Sequence, residues 1–335
     1  MQNILLIYTG GTIGMIKKDG VLVPFNLENL LSKIPLLKDF QANLSTLSLD
    51  EIIDSSNANC EFWVKLCKII VENYEKYNGF VILQGSDTMA YTASALSFML
   101  ENLSKPVILT GSQLPIGLLR TDARENIIAA LELACLTKNN APLIQEVCVY
   151  FENSLYRGNR TTKYSAQNFD AFRSPNYKRL AEVGINITTY EDRMWKNKID
   201  FLIPHYNFCN DIIVLKLFPG ISNDYIKIIT QLPNLKGLIL QTFGAGNAPN
   251  NKEFLEILKE AVKKDIIVLN VTQCFTGKVL QDVYELGKNL NEIGVISGKD
   301  ITLEAAVTKM MYLFGEKFSP SEIERLFKIS LRGEI

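Results

Sequence analysis

Histidine is nearly missing from this chain of 335 residues, with His205 the only one. That scarcity excludes a His-Glu-x-x-His zinc site, and a Ser-His-Asp triad would rest wholly on a residue beside Pro204 in an irregular stretch, where a structural role is expected. Cysteine is sparse as well. Cys60, Cys67, Cys135, Cys148, Cys209 and Cys274 form no Cys-x-x-Cys pair and mostly have apolar neighbours, so they read as reduced, largely buried thiols rather than disulfides or zinc ligands. Neither sign of charge dominates: 35 basic residues face 36 acidic ones, no basic stripe emerges, and nucleic acid is excluded as an expected partner. No apolar run approaches the ~20 residues that a membrane span needs. The N-terminus has no basic n-region or small-residue cleavage site, so secretion is not expected and the cytosol is the expected compartment. Internal repeats and low-complexity tracts are absent too.

What is present begins at once. Ile4 to Tyr8 is an apolar run, the mark of a strand buried on both faces, and it breaks into Thr9-Gly10-Gly11-Thr12-Ile13-Gly14-Met15. The glycines allow a tight turn and a close approach. In an open α/β sheet ligands bind beyond the carboxyl ends of the strands, so Thr12 is a candidate nucleophile. A dinucleotide cradle fits poorly, because Thr9 stands where that pattern needs glycine and no helix-spaced apolar residues follow. A Walker loop fails for want of Gly-Lys-Ser/Thr. A purely structural turn remains open for this loop on its own.

The length points to roughly two domains, each able to bury its own core. Asn26 to Ile34 reads as a short helix and Leu44 to Leu49 as a strand running into the polar Asp54-Ser55-Ser56-Asn57. A helix with Phe62, Leu66, Ile69, Ile70 and Tyr74 on one face follows. Phe80 to Leu83 is the next buried strand, ending in Gln84-Gly85-Ser86-Asp87-Thr88 before a helix through Leu103. Pro106 to Leu109 repeats the scheme and ends in Thr110-Gly111-Ser112-Gln113, before a helix from about Asp122 to Leu136. Neighbouring loops of this kind make a crevice lined with hydroxyls.

After a strand at Val147 to Phe151, the run Tyr156 to Lys163 is too charged to bury unless paired and reads as a solvated loop. Strand and helix alternate again from Ile212. The expected class is α/β, with a larger N-terminal, mostly parallel sheet flanked by helices and a smaller C-terminal α/β domain. The expected divisions are 1–185 for the domain carrying the catalytic residues, 186–208 for a linker, and 209–335 for the smaller domain.

Hydroxyl loops with an aspartate and a lysine point to acyl chemistry. A threonine hydroxyl attacks an acyl carbon only if its proton is taken, and with histidine so scarce the base is a lysine, a carboxylate, a tyrosine or water. Ser86, Asp87 and Lys163 could form such a relay, and backbone N–H groups in the glycine turns could hold an oxyanion, often worth roughly 3–4 kcal/mol per donor.

Tyr8 to Met15, Asp54-Ser55-Ser56, Gly85 to Leu100, Arg157 to Lys163, Gly244 to Pro249, Thr272-Gln273-Cys274 and Leu331 to Glu334 together closely resemble the type I, cytoplasmic bacterial L-asparaginases. The likeness covers essentially the whole chain. It implies two α/β domains joined by a linker, assembled as homodimers or homotetramers. It implies hydrolysis of L-asparagine to L-aspartate and ammonia through a threonine acyl-enzyme, with no metal and no cofactor. It makes Thr12 the nucleophile, Ser86, Asp87 and Lys163 a second catalytic triplet, and Gly11, Ser55, Ser56, Ser86 and Asp87 the substrate's contacts. Thr162, Asn247, Thr272 and Cys274 match motifs of a second, activating asparagine site.

Four positions depart from the pattern. Ser86 replaces a threonine, which keeps the hydroxyl and loses the methyl that restricts its rotamer, so activity is expected to survive. Gln84 stands where histidine is usual. The lid, Ile16 to Asn26, lacks its tyrosine, and Gln241 stands where an arginine is common, so weak or absent activation by substrate is expected. Two other readings stay open. One is an asparaginase-like subunit of the archaeal amidotransferase that acts on misacylated tRNA, disfavoured because this chain starts directly at its first strand. The other is an asparagine-binding sensor with little turnover.

Overall fold

Ile4, Leu5, Leu6, Ile7 and Tyr8 are all buried, and the chain around them is organised as the run of apolar residues requires. The computed structural model describes residues 1–335 except 19–20, 25–33, 36, 38–39, 198, 200, 282 and 284. The short helix expected at Asn26 to Ile34 lies, but for its last residue, outside the described residues. Two units divide the chain, Met1–Tyr206 and Asn207–Ile335.

The first unit is built on an eight-stranded sheet. Its strands are β1 (Asn3–Tyr8), β2 (Asn43–Ser48), β3 (Gly79–Leu83), β4 (Val107–Thr110), β5 (Val147–Phe151), β6 (Ser154–Arg157), β7 (Ala181–Val183) and β8 (Ile187–Thr189). Their spatial order is β8-β7-β6-β5-β4-β3-β1-β2. The five from β2 to β5 run parallel, and β6, β7 and β8 continue the sheet antiparallel. Helices α1 (Cys60–Glu72), α2 (Met89–Met99) and α3 (Ala123–Ala134) provide the crossovers. Asn59 caps α1, its side chain accepting from the Phe62 N–H at 2.9 Å. In α2 every residue but Tyr91 is buried, as befits a helix in the core rather than a surface stripe. It stops at Met99, short of the expected Leu103, because Leu100–Glu101 leaves to form a two-stranded ribbon with Ile203–Pro204.

That ribbon and β8 correct the expected linker. Residues 186–208 are largely part of the first unit: Ile187–Thr189 pairs with Ala181–Val183, and Ile203–Pro204 pairs back onto Leu100–Glu101. Short strands with few apolar residues gave no periodic signal there. His205 closes the ribbon, with Nε2 2.8 Å from Glu101 Oε2.

The solvated loop expected at Tyr156 to Lys163 is also corrected. Arg157, Asn159 and Arg160 are buried. The Arg157 Nε donates to Glu146 Oε2 at 2.6 Å and an Nη donates to the Arg193 carbonyl at 2.8 Å, while the Tyr177 ring lies 4.4 Å from the guanidinium. Charge is buried here because it is paired and stacked.

The second unit carries a parallel four-stranded sheet in sequential order: β9 (Ile212–Lys216), β10 (Gly237–Thr242), β11 (Ile267–Thr272) and β12 (Ile296–Ser297). Around it stand α4 (Asn223–Thr230), α5 (Lys252–Lys263), α6 (Glu285–Glu292), α7 (Leu303–Gly315) and α8 (Pro320–Phe327). The terminal motif is anchored inside this unit, where Glu334 meets Lys309 of α7 at 2.5 Å with both side chains sealed from solvent.

Two cysteines are buried, three half-buried and Cys274 exposed, and all six are free thiols. No described helix is long and apolar enough to cross a membrane.

Candidate active site

The carboxyl ends of β1 and β3 are locked together before any functional side chain is placed. Thr9, at the end of β1, donates to the Leu83 carbonyl twice, from its N–H at 3.0 Å and from its hydroxyl at 2.9 Å. Gly11 then turns with φ of 88°, a conformation that side chains rarely tolerate, and a Cβ there would lie 2.3 Å from the Gly85 backbone. A Cβ at Gly85 would lie 2.6 Å from Ser55 Oγ. Three loops therefore meet through atoms that only glycine leaves room for.

This contact joins the two loops at the residues that directly precede Thr12 and Ser86. Thr12 opens a single 3-10 turn, Thr12–Gly14, whose carboxyl end is held by the Tyr8 hydroxyl donating to the Gly14 carbonyl at 3.2 Å. Burial pushes the Tyr8 phenol up to about 12, so it stays a donor across the neutral range. The Thr12 side chain is half-buried and has no hydrogen-bond partner among the described residues.

Lys163 arrives from a separate element. It ends the strand Thr162–Lys163, paired antiparallel with Phe172–Arg173, directly after the buried turn Gly158–Arg160. Its Nζ donates to Ser86 Oγ at 2.9 Å and to Asp87 Oδ1 at 2.6 Å. The Lys163 side chain is 17% exposed and that of Asp87 66%, so the ammonium is sheltered while the carboxylate faces outward. Asp87 Oδ1 alone is engaged among the described residues, leaving Oδ2 for another cation.

Ser55 and Ser56 sit on the wall. Ser55 is buried and its carbonyl accepts from the Thr88 hydroxyl at 2.6 Å. Ser56 is exposed, and both its N–H and its hydroxyl donate to Asp54 Oδ1 at 2.8 Å. These bonds, the backbone one first, hold the Asp54 carboxyl below its ordinary value. The Ser56 hydroxyl would have to leave Asp54 to bind a ligand, whereas the Ser55 hydroxyl has no such partner among the described residues.

The fourth wall was legible only as a polar loop. Gln113 places Oε1 3.4 Å from Ser86 Oγ and donates from Nε2 to the Asn168 carbonyl at 3.0 Å. The surrounding backbone is clamped by α3. Asp122 accepts from the N–H groups of Gln113 and Leu114, and Asn126 donates to the Gly111 carbonyl at 2.9 Å. No spacing rule links residues 86, 113 and 168, so sequence gave no signal for this contact.

Of the four residues matched to a second site, three gather in the second unit. The Thr272 hydroxyl donates to the Gly244 carbonyl at 2.5 Å and accepts from the Cys274 N–H at 3.0 Å, while Asn247 closes the turn after β10 by bridging to Phe243. Thr162 belongs to the first unit. Gln241 uses its backbone carbonyl on Leu217 and Gln273.

A polar cavity of about 860 Å³ lies elsewhere in the first unit, lined among others by Glu152, Tyr156, Arg173, Arg179 and Arg193, and shares no residue with the cluster. Two of its arginines are paired, Arg173 with Asp170 at 2.5 Å and Arg179 with Glu182 at 2.8 Å. Among the described residues no group of three or more His, Cys, Asp and Glu side chains could hold a metal ion.

Comparison with known proteins reaches across this whole arrangement. Residues 3–195 match the family model described as "Asparaginase, N-terminal", and residues 211–327 match "Glutaminase/Asparaginase C-terminal domain". L-asparaginase 1 of Escherichia coli K12 is 43% identical over 338 aligned residues, covering 100% of this chain and 98% of that one. The crystal structure of L-asparaginase I from Vibrio cholerae superposes with a TM-score of 0.89 at 40% identity, over 100% of this chain and 99% of that one. The thermostable L-asparaginase from Thermococcus kodakarensis superposes with a TM-score of 0.90 at 30% identity, over 99% of each chain.

Proposed function

The chain belongs to the asparaginase family, and from that membership and the geometry of its loops we propose that it hydrolyses L-asparagine to L-aspartate and ammonia through a threonine acyl-enzyme. The observation that carries the reading is the sheltered Lys163 ammonium bonded to both Ser86 and Asp87, together with the Gly11–Gly85 contact between the loops that carry Thr12 and Ser86. A site meant only to bind an amino acid needs neither a nucleophile nor a half-buried lysine beside it.

The roles follow from what each group can do. Asp87, with one oxygen on Lys163 and the other open among the described residues, takes the substrate's α-ammonium by a charge-assisted hydrogen bond. Ser55, and Ser56 once it leaves Asp54, hold the α-carboxylate. Thr12 Oγ attacks the side-chain amide carbon, the C–N bond breaks, and the threonine proton departs with the nitrogen as ammonia. The resulting ester is cleaved by water, which regenerates the Thr12 hydroxyl and releases aspartate. Lys163 and Ser86 line the reacting face, where the fixed positive charge stabilises negative charge developing on the substrate. The chain works in the cytoplasm as a homodimer or homotetramer, and the Gln241 position makes substrate activation through Thr162, Asn247, Thr272 and Cys274 weak or absent.

Ammonia release from L-asparagine and L-glutamine, measured side by side on purified protein, tests this reading. Saturating turnover of asparagine with little on glutamine is expected. Folded protein that binds asparagine in a calorimeter without releasing ammonia would overturn it in favour of a sensor.

A further inference from the structure

Ser86 has the hydroxyl of a threonine without the methyl that restricts χ1, so its own covalent structure leaves three staggered rotamers open. The structure gives its hydroxyl two partners. Oγ accepts from Lys163 Nζ at 2.9 Å and lies 3.4 Å from Gln113 Oε1. A lysine ammonium can only donate, so the Lys163 contact uses a lone pair of Ser86 and leaves its proton to be placed elsewhere.

The direction of the second contact is fixed from outside the pair. The Asn168 carbonyl can only accept, so the Gln113 amide must turn Nε2 toward it, at 3.0 Å, and this faces Oε1 toward Ser86. Gln113 Oε1 is the acceptor for the Ser86 proton, and no other acceptor is bonded to that hydroxyl among the described residues. The base of Gln113 is equally constrained, its N–H reaching both Asp122 oxygens, at 2.9 and 3.1 Å. The Asp122 carboxylate also accepts from Leu114 N–H at 3.1 Å and from Asn126 Nδ2 at 3.2 Å.

We propose that Gln113 is a positioning residue for the reaction: its amide oxygen holds Ser86 in the rotamer that faces Lys163, in place of the methyl that a threonine would supply. The proposal rests on the reading that Ser86 takes part in turnover. It gives the polar chain one sense, Lys163 donating to Ser86 and Ser86 donating to Gln113, so the resting hydroxyl presents a lone pair and not its proton to the ammonium. It also couples the loop after β4 to the loop after β3 through one side chain.

A double-mutant cycle between the two positions is the test. Gln113→Leu should lower kcat about three- to fivefold, the lower part of the range for one hydrogen bond as a 3.4 Å contact implies, with KM changed less than about twofold. In the Ser86→Thr background the same replacement should cost less than about twofold, because the methyl now restricts the rotamer. An equal loss in both backgrounds, or no loss in either, would overturn the proposal. A crystal structure of Gln113→Leu supplies a readout independent of turnover. Ser86 in more than one χ1 rotamer is expected there, and a single unchanged rotamer would count against the idea. Should the parent protein release no ammonia, the proposed function would fail while the rotamer comparison still decided the role of Gln113.

Discussion

Two lysine–carboxylate pairs of nearly equal length sit in this molecule and are built for opposite ends. Lys163 meets Asp87 at 2.6 Å, and Lys309 meets Glu334 at 2.5 Å. In the second pair both side chains are 0% exposed. Lys309 also donates to the Ile329 carbonyl at 3.0 Å, and Glu334 accepts from the N–H groups of Leu331 and Arg332 at 3.0 and 2.7 Å. Those bonds occupy the pair from within the chain and tie the terminal segment to α7. Among the described residues Asp87 keeps one oxygen open, most of its surface is in solvent, and Lys163 has the Ser86 hydroxyl as its second partner. The identity of the two residue types therefore says little. Burial and saturation separate a clamp from a site.

Breaking the comparison starts with the nucleophile. Thr12→Ala should reduce ammonia release ~10³-fold or more while leaving the thermal midpoint unchanged, since it removes a hydroxyl without partners among the described residues. Steady-state rates and a melting curve on the same preparation check this.

The two lysines should then part company. Lys163→Met should cost ~10²–10⁴-fold in kcat with little change in stability, because a pair as open as Lys163–Asp87 contributes only ~0–1 kcal/mol. Lys309→Met should instead lower the unfolding free energy by ~3–5 kcal/mol, since it strands a buried carboxylate, and leave kcat of the folded protein intact. Urea titrations beside activity assays would expose a reversal of the two effects, which the comparison could not survive.

The clamp should also be sensitive to acid. Burial alone would raise the Glu334 carboxyl, but the Lys309 ammonium and the two N–H groups offset it and hold the group below its ordinary 4.5. A carboxyl depressed in the folded state stabilises the fold fully above its unfolded value and loses that contribution as pH falls through the folded one. The urea midpoint should therefore drop below about pH 4.5, and Glu334→Gln should flatten that part of the profile. The smallest effect concerns the second unit: initial rates against asparagine should follow a simple hyperbola, and a Hill coefficient clearly above one would show that Gln241 does not weaken activation.

Much of this was readable from the chain. The apolar runs at Ile4 to Tyr8, Phe80 to Leu83 and Val147 to Phe151 signalled buried strands because a two-sided sheet needs apolar residues on both faces. Thr12, Ser86, Asp87 and Lys163 were candidates from residue type and motif. Ile187–Thr189 was not readable as a strand, for a three-residue edge carries too little pattern. Nor was the burial of Arg157, whose partner Glu146 is recognisable only once β5 and β6 lie side by side.

Which strands are buried, where the chain can turn tightly at Gly11 and Gly85, and which hydroxyls, carboxylates and amines are available for chemistry were already set by the order of residues. Those are local properties, set by the side chain and its immediate neighbours. Folding was needed for Lys163 to reach Ser86 and Asp87 at separations of 77 and 76 positions, for Gln113 to face Ser86, and for Lys309 to meet Glu334 instead of solvent. Each of these depends on distances across the fold, which strand order fixes and which local periodicity along the chain does not state.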